Sequence, residues 1–206
     1  MSEISWITID KMSGSENQTI NVTAAAHTGR LARSGTIVVK TAGTAGSAVT
    51  KNVAVTQNLH PVFVTKGADA SVTAADIKKD ITFTTNSQSF KVVCTGGTVE
   101  AVEIKGAAVT ASSGNYTPSG DPGATAQYTV TVTVKFSANT TVRDKRITTS
   151  LKDVTTSSAT ASVVITQAAA NSNLTVDTET LTFTPGGGSK TFSITSNDSW
   201  TITSNA

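Results

Sequence analysis

The chain of 206 residues has one cysteine, two histidines, four prolines and only 5% aromatic residues. A single thiol, Cys94, excludes an intrachain disulfide. It sits in FKVVC, where Phe90, Val92 and Cys94 share a parity, so a buried, inert thiol is expected. Charged residues make up 15% and the formal charge is +2, which gives no long-range steering field and no footprint for nucleic acid. The densest basic spots, Lys78-Lys79 and Arg143–Arg146, are offset by Asp76, Asp80 and Asp144 and read as solvated loops and strand ends. No apolar run approaches the ~20 residues needed to span a bilayer, so no membrane partner is expected. The opening MSEISWITID lacks the basic and apolar regions of a signal peptide. The expectation is a chain made and kept in a cytoplasm, leaving it by lysis or as part of a larger particle.

Catalytic sets are equally scarce. His27 and His60 stand in loops far apart in sequence, and neither has a Cys, Asp or second His at ligand spacing, so no metal site is expected. Asp69, Asp76, Asp80, Glu100, Glu103, Asp177 and Glu179 are scattered, without the paired pattern of a glycosidase. PGGGS at Pro185–Ser189 lacks the Lys-Ser/Thr and following helix of a phosphate loop and reads as a hairpin turn. No catalytic residue and no cofactor is expected.

What the chain has in quantity is Thr, Ser, Val and Ala, with apolar residues at 37%. Val, Ile and Thr fit a pleated surface, so the composition predicts an all-β protein with thin cores. The clearest strand is YTVTVTVKF, where Tyr128, Val130, Val132, Val134 and Phe136 form one face and Thr129, Thr131, Thr133 and Lys135 the other. Further strands are predicted at Ser5–Asp10, Thr19–Ala24, SGTIVVKT, NVAVTQN, TVEAVEI, RITTSL and ASVVITQ, with TAGTAGSA a hairpin connection. ITFTTNSQSFKVVC reads as a hairpin-like pair around Thr85–Gln88, and Ser112–Gly123 as a polar loop with the turn signals SGN and SGDPG.

An internal repeat organises these strands. Arg33 precedes Thr56-Gln57 by 24 residues and Arg143 precedes Thr166-Gln167 by the same 24. At that offset of 110, Ile20 falls on Val130, Val22 on Val132, Thr23 on Thr133 and Val55 on Ile165. ITFT at Ile81 and LTFT at Leu181 also suggest a recurring start of the unit. The tail, LTVDTETLTFTPGGGSKTFSITSNDSWTITSNA, reads as a strand, a Gly-rich turn, a second strand and the start of a third, and that set has no second layer of its own. Placed before the head, SEISWITID…TINVTA, it makes a continuous sandwich sequence. The expected organisation is therefore two immunoglobulin-like β-sandwiches. Residues 1–58 and 171–206 form a split, permuted first domain, 59–71 a linker with an edge strand at Val62–Thr65, and 72–168 the second domain. Two closures fit. The tail can complete its own head if the second domain folds back beside the first, which needs no partner and is the expected form. Alternatively, with the domains end to end, it completes a neighbouring copy.

The pattern LxVxxxxLxFxxxGGSxxFxIxSNxSWxIxSNA, followed by SWITI…SG…TINVTAA…R-S-GTIVV…VAVTQ, resembles the BACON family of immunoglobulin-like domains, common in gut Bacteroidetes proteins and their phages. The matching positions are Leu181, Phe183, Gly187, Gly188, Phe192, Ile194, Asn197, Trp200, Trp6, Ile7, Gly14, Val22, Arg33, Gly35, Ile37, Val55 and Gln57. The middle unit lacks Trp at the SW positions and has a longer Gly/Ser/Pro loop. The resemblance implies a non-catalytic module for carbohydrate or mucin adhesion, or a spacer. Together with the missing leader, it leads to the expectation of a phage structural protein on the virion surface, an auxiliary capsid or head-decoration protein. Its partners would be the major capsid protein, other virion subunits or its own copies through strand complementation. The alternative is a glycan-binding module with Trp6 and Trp200 as the platform, whereas burial of large aromatics makes both core residues. Arg33 and Arg143 are expected to cap a loop or pair with a carboxylate, and Gln57 and Gln167 to satisfy backbone groups.

Overall fold

The computed structural model describes residues 4–112, 114–124 and 128–205. Ser113, which opens the SGN turn, lies outside the described residues. Among those described there are strands and turns but no helix, so the protein is all-β. The head carries β1 (Ile7–Ile9), β2 (Val22–Ala24), β3 (Arg33–Lys40) and β4 (Thr50–Gln57). These make two separate antiparallel ribbons, β1–β2 and β3–β4.

The middle unit is a complete sandwich. Its strands are β5 (Val64–Lys66), β6 (Ala70–Val72), β7 (Lys78–Thr85), β8 (Phe90–Thr95), β9 (Thr98–Lys105), β10 (Val109–Ser112), β11 (Asn115–Pro118), β12 (Tyr128–Lys135), β13 (Lys145–Asp153) and β14 (Thr160–Gln167). One sheet runs β5-β7-β12-β9 and the other β10-β11-β8-β13-β14-β6. Between them lies the core, with Phe83, Phe90, Val130, Val132, Val134, Ile147, Leu151, Val163 and Ile165 fully or nearly fully buried. β12 alternates as its sequence predicts: Tyr128, Val130, Val132 and Val134 point in, and the threonines between them are half-buried. The tail adds only β15 (Leu174–Val176) and β16 (Ile194–Ser196), which form a third antiparallel ribbon.

Several expectations change. The segment read as a linker with an edge strand at Val62–Thr65 contains β5, which overlaps that strand, and also most of β6, and both close the middle sandwich on β7 and β14. Thr85–Gln88 is not a hairpin but a corner at which the chain leaves one sheet for the other. Its polar groups make that crossing feasible in the interior, because buried Thr85, Asn86 and Ser87 find hydrogen-bond partners. The polar loop after Ser112 is shortened by the β10–β11 pair, and Trp200 begins no strand. Cys94 is half-buried rather than fully buried, with the Thr149 hydroxyl 3.5 Å from its sulfur.

The middle sandwich also fixes where the head and tail lie. The chain enters at β5, where Val64 is paired with Thr85, and Thr85 is paired with Tyr128 at the start of β12. It leaves at Gln167, whose side-chain amide donates to the carbonyls of Asp76 and Ser137, beside Lys78 and Lys135 at the far end of the same β7–β12 pair. Entry and exit are thus separated by the length of an eight-residue strand, about 26 Å at roughly 3.3 Å per residue. Head and tail attach at opposite ends. Among the described residues the strands of the head and those of the tail share no sheet.

Candidate interaction site at the two open ends

In the head, Arg33 begins β3 opposite Gln57 at the end of β4. Its Nε donates to the Gln57 side-chain carbonyl at 2.8 Å and a terminal nitrogen donates to the Ala25 carbonyl at 2.9 Å. The same guanidinium lies 4.7 Å from the centroid of the Trp6 ring, a cation–π contact that fixes the half-buried indole. Because the Ala25 amide donates to the Trp6 carbonyl, this one cluster ties β1–β2 to β3–β4. Arg33 therefore caps a loop, and Gln57 satisfies the Ala25 carbonyl as expected.

In the tail, the local geometry repeats that of the middle sandwich. Phe83 pairs with Lys66 and Thr85 with Val64; in the tail, Ile194 pairs with Val176 and Ser196 with Leu174. The Asn86 side chain accepts from the Phe63 amide and donates to the Pro61 carbonyl. Asn197 likewise accepts from the Asn173 amide and donates to the Asn171 carbonyl, each partner 110 residues further on. The hydroxyl of Thr85 donates to the Phe63 carbonyl, and that of Ser196 to the Asn173 carbonyl. β15–β16 is thus a second β5–β7. This corrects the ITFT/LTFT equivalence: Ile81–Thr85 corresponds to Phe192–Ser196, while Leu181–Phe183 is in no strand and Thr184 bridges to Gly187 across a turn.

The two ends differ from the middle in what their side chains meet. Phe83 and Phe90 are fully buried, but Ile194 is half-buried and Trp200, the aromatic that comes after the Asn197 clamp, is 50% exposed. Ile202 is 63% exposed. In the head, Ile20, Val22 and Val53 are exposed, whereas their counterparts Val130, Val132 and Val163 are fully buried. The apolar faces are present but uncovered. Trp6 precedes β1 in a turn and Trp200 follows β16 outside any strand, and among the described residues no aromatic contact joins them.

The joint between head and middle contains the histidines. His27 and His60 come together with ring centroids 5.5 Å apart, a proximity their separation in sequence concealed. The His60 ring bonds the His27 carbonyl, and the His27 ring bonds the Leu31 carbonyl. Asp121, from the loop before β12, accepts from the Arg30 amide at 2.7 Å and from the Leu31 and Gly123 amides. Partial desolvation raises its pKa, but those amides and the nearby His27 outweigh it and hold it below the usual carboxylate value. Among the described residues no group of three His, Cys, Asp or Glu side chains could hold a metal.

Other carboxylates act as staples. Asp76 is lowered by the Thr73 hydroxyl and amide, and Asp69 by the Lys66 ammonium and the Val164 amide. Asp153 is buried, which works against its charge, yet the hydroxyls of Ser87 and Thr155 and the amides of Thr156 and Thr155 hold it low. A shallow depression near the exit end, lined by Ser71–Asp76, Lys78, Lys79, Ala168, Ala169 and Asn171, has only Asp76, Lys78 and Lys79 as charged groups. These carboxylates, each held by its own neighbours, offer no general acid–base pair, so the exposed apolar faces and strand edges are the candidate site.

No curated protein and no solved structure matches the chain. Residues 1–58, which carry β1 to β4, match the family model described as "BACON: Putative binding domain, N-terminal".

Proposed function

We propose that this is a non-enzymatic structural protein that docks through immunoglobulin-like domains onto a phage particle, as an auxiliary capsid or head-decoration protein. The observation that carries the reading is a complete sandwich flanked at both ends by open ribbons with uncovered apolar faces. Such edges bind other protein by adding strands. The match of the head to a binding-domain family agrees with recognition rather than catalysis. Partners on this reading are the major capsid protein or other subunits of the virion surface. Co-sedimentation with emptied capsid shells of a phage infecting gut Bacteroidetes tests it. Saturable binding at a fixed ratio to shell subunits supports the reading, and loss of the protein to the supernatant overturns it.

The second reading is a glycan-binding module, and the half-exposed Trp200 favours it. Retention on mucin glycans that disappears with Trp200→Ala or Trp6→Ala, without loss of the middle sandwich, would select it.

A further inference from the structure

The middle sandwich shows what each open edge of the head lacks. There, β12 lies between β9 and β7, β13 between β14 and β8, and β14 also carries β6 in parallel. In the head, β2 pairs only with β1, as Val22 pairs with Ile9 where Val132 pairs with Val102. β3 and β4 pair only with each other. Among the described residues three edges are therefore vacant, at the places of β7, β8 and β6.

The tail holds the counterparts of all three. β16 matches β7 in register, in its asparagine clamp and in its hydroxyl bond. Trp200–Ile202 follows β16 with one residue fewer between than separates Phe90–Val92 from β7, and Leu181–Phe183 follows β15 with one residue more than separates Ala70–Val72 from β5. Residues 174–204 bring a segment of the size that a stable interface uses, about 20–30 residues a side.

Among the described residues, the chain's own tail pairs with no strand of its own head. From Gln57 to Val64 is seven residues, and from Gln167 to Leu174 is also seven. The joints correspond in contacts as well: the His60 amide donates to the Arg30 carbonyl, and the Ala170 amide, 110 residues later, donates to the Thr141 carbonyl. The tail thus stands to the middle unit as the middle unit stands to the head. The structure takes one step twice in the same direction.

We propose that the tail of one molecule, residues 174–204, inserts into the head of a second copy and completes a sandwich there. Ile194 and Trp200 take the positions of Phe83 and Phe90, against Val22 and Val53 of the receiving chain. The contact is heterologous, so it extends into linear chains or closes into rings. It goes beyond the docking reading, because it holds whatever surface the finished assembly occupies, and it is tested with purified chain and no shell.

Sedimentation velocity over a range of concentrations is the experiment, with tryptophan emission as a second readout. The expected result is a mass-action series of dimers and longer species, with emission shifting to the blue as Trp200 leaves water. Val22→Asp closes the head to insertion, and Ile194→Asp disables the tail. Each variant alone is expected to stay monomeric, and an equal mixture to give a heterodimer and nothing longer, since one good head meets one good tail. That recovery also shows that neither variant failed to fold. A wild-type chain that stays monomeric throughout overturns the proposal. So do variants that still self-associate, or a mixture that remains two monomers. None of these outcomes depends on shell binding, so the two readings fail separately.

Discussion

The middle sandwich and the two ends are built from the same strands, yet only one of them has an interior. Phe83 and Ile194 occupy the same register position beside the same kind of strand, with the same asparagine clamp three residues on. One is fully buried and the other is not. The difference is the opposing sheet. A two-stranded ribbon satisfies part of its backbone but cannot remove its apolar face from water. Local sequence thus fixes register and turns here, while burial comes from a second layer.

This comparison is sharpest where one substitution is made at both places. Phe83→Ala is expected to destabilise the middle sandwich by about 3–5 kcal/mol, from lost transfer energy and the cavity left behind. Ile194→Ala in dilute chain should cost at most about 0.5 kcal/mol, in the range of a surface change. Urea melts of the full chain measure both, and similar losses at the two sites would break the comparison. Next in size, Asn86→Ala removes a buried clamp and should cost about 1–3 kcal/mol, since it leaves the Phe63 amide without its partner. Asn197→Ala removes the same bonds where water can replace them, and a smaller loss is expected.

A pH titration gives the smallest contrast. Asp153 has a depressed pKa in the folded protein, so its contribution is present above the unfolded carboxylate value and is lost as pH falls through the lower folded value. Acid should therefore weaken the middle sandwich in the range below about pH 4. Asp153→Asn should flatten that dependence in melts recorded at successive pH values. An unchanged acid limb in the variant would assign it to other carboxylates.

Much of this was legible in the residues. The alternation in Tyr128–Val134 gave both faces of β12, whereas among the described residues the Arg33–Gln57 bond has no copy at Arg143 and Gln167, because Lys145 is the residue that stands opposite Gln167. Two features were hidden. β5 was legible as the edge strand at Val62–Thr65, but β6 is three residues long, too short for a period to declare itself, and the pairing of both depends on distant β7 and β14. The tetrapeptides ITFT and LTFT are alike in composition but stand on different strands, because likeness over four residues says nothing about partners. At the ends, Trp6 reads as a core residue and is half-buried under Arg33, while Trp200 has the sequence of a core residue and no core around it.

One feature of the middle unit bears on mechanics. Among the described strands, β6 and β14 form the only parallel pair, with Ala70 beside Ile165 and Val72 beside Gln167. The head is attached through the strand that leads into β6, and the tail continues from β14. Tension between the two ends would draw these parallel strands past one another in opposite directions. Their hydrogen bonds would then be loaded together, in shear, instead of opening one at a time like a zip. The Gln167 amide, bonded to the carbonyls of Ala74, Asp76 and Ser137, would resist the same displacement. A chain anchored at both ends would meet a pulling force through β5 and β6, the short strands that tie the entering chain to β7 and β14.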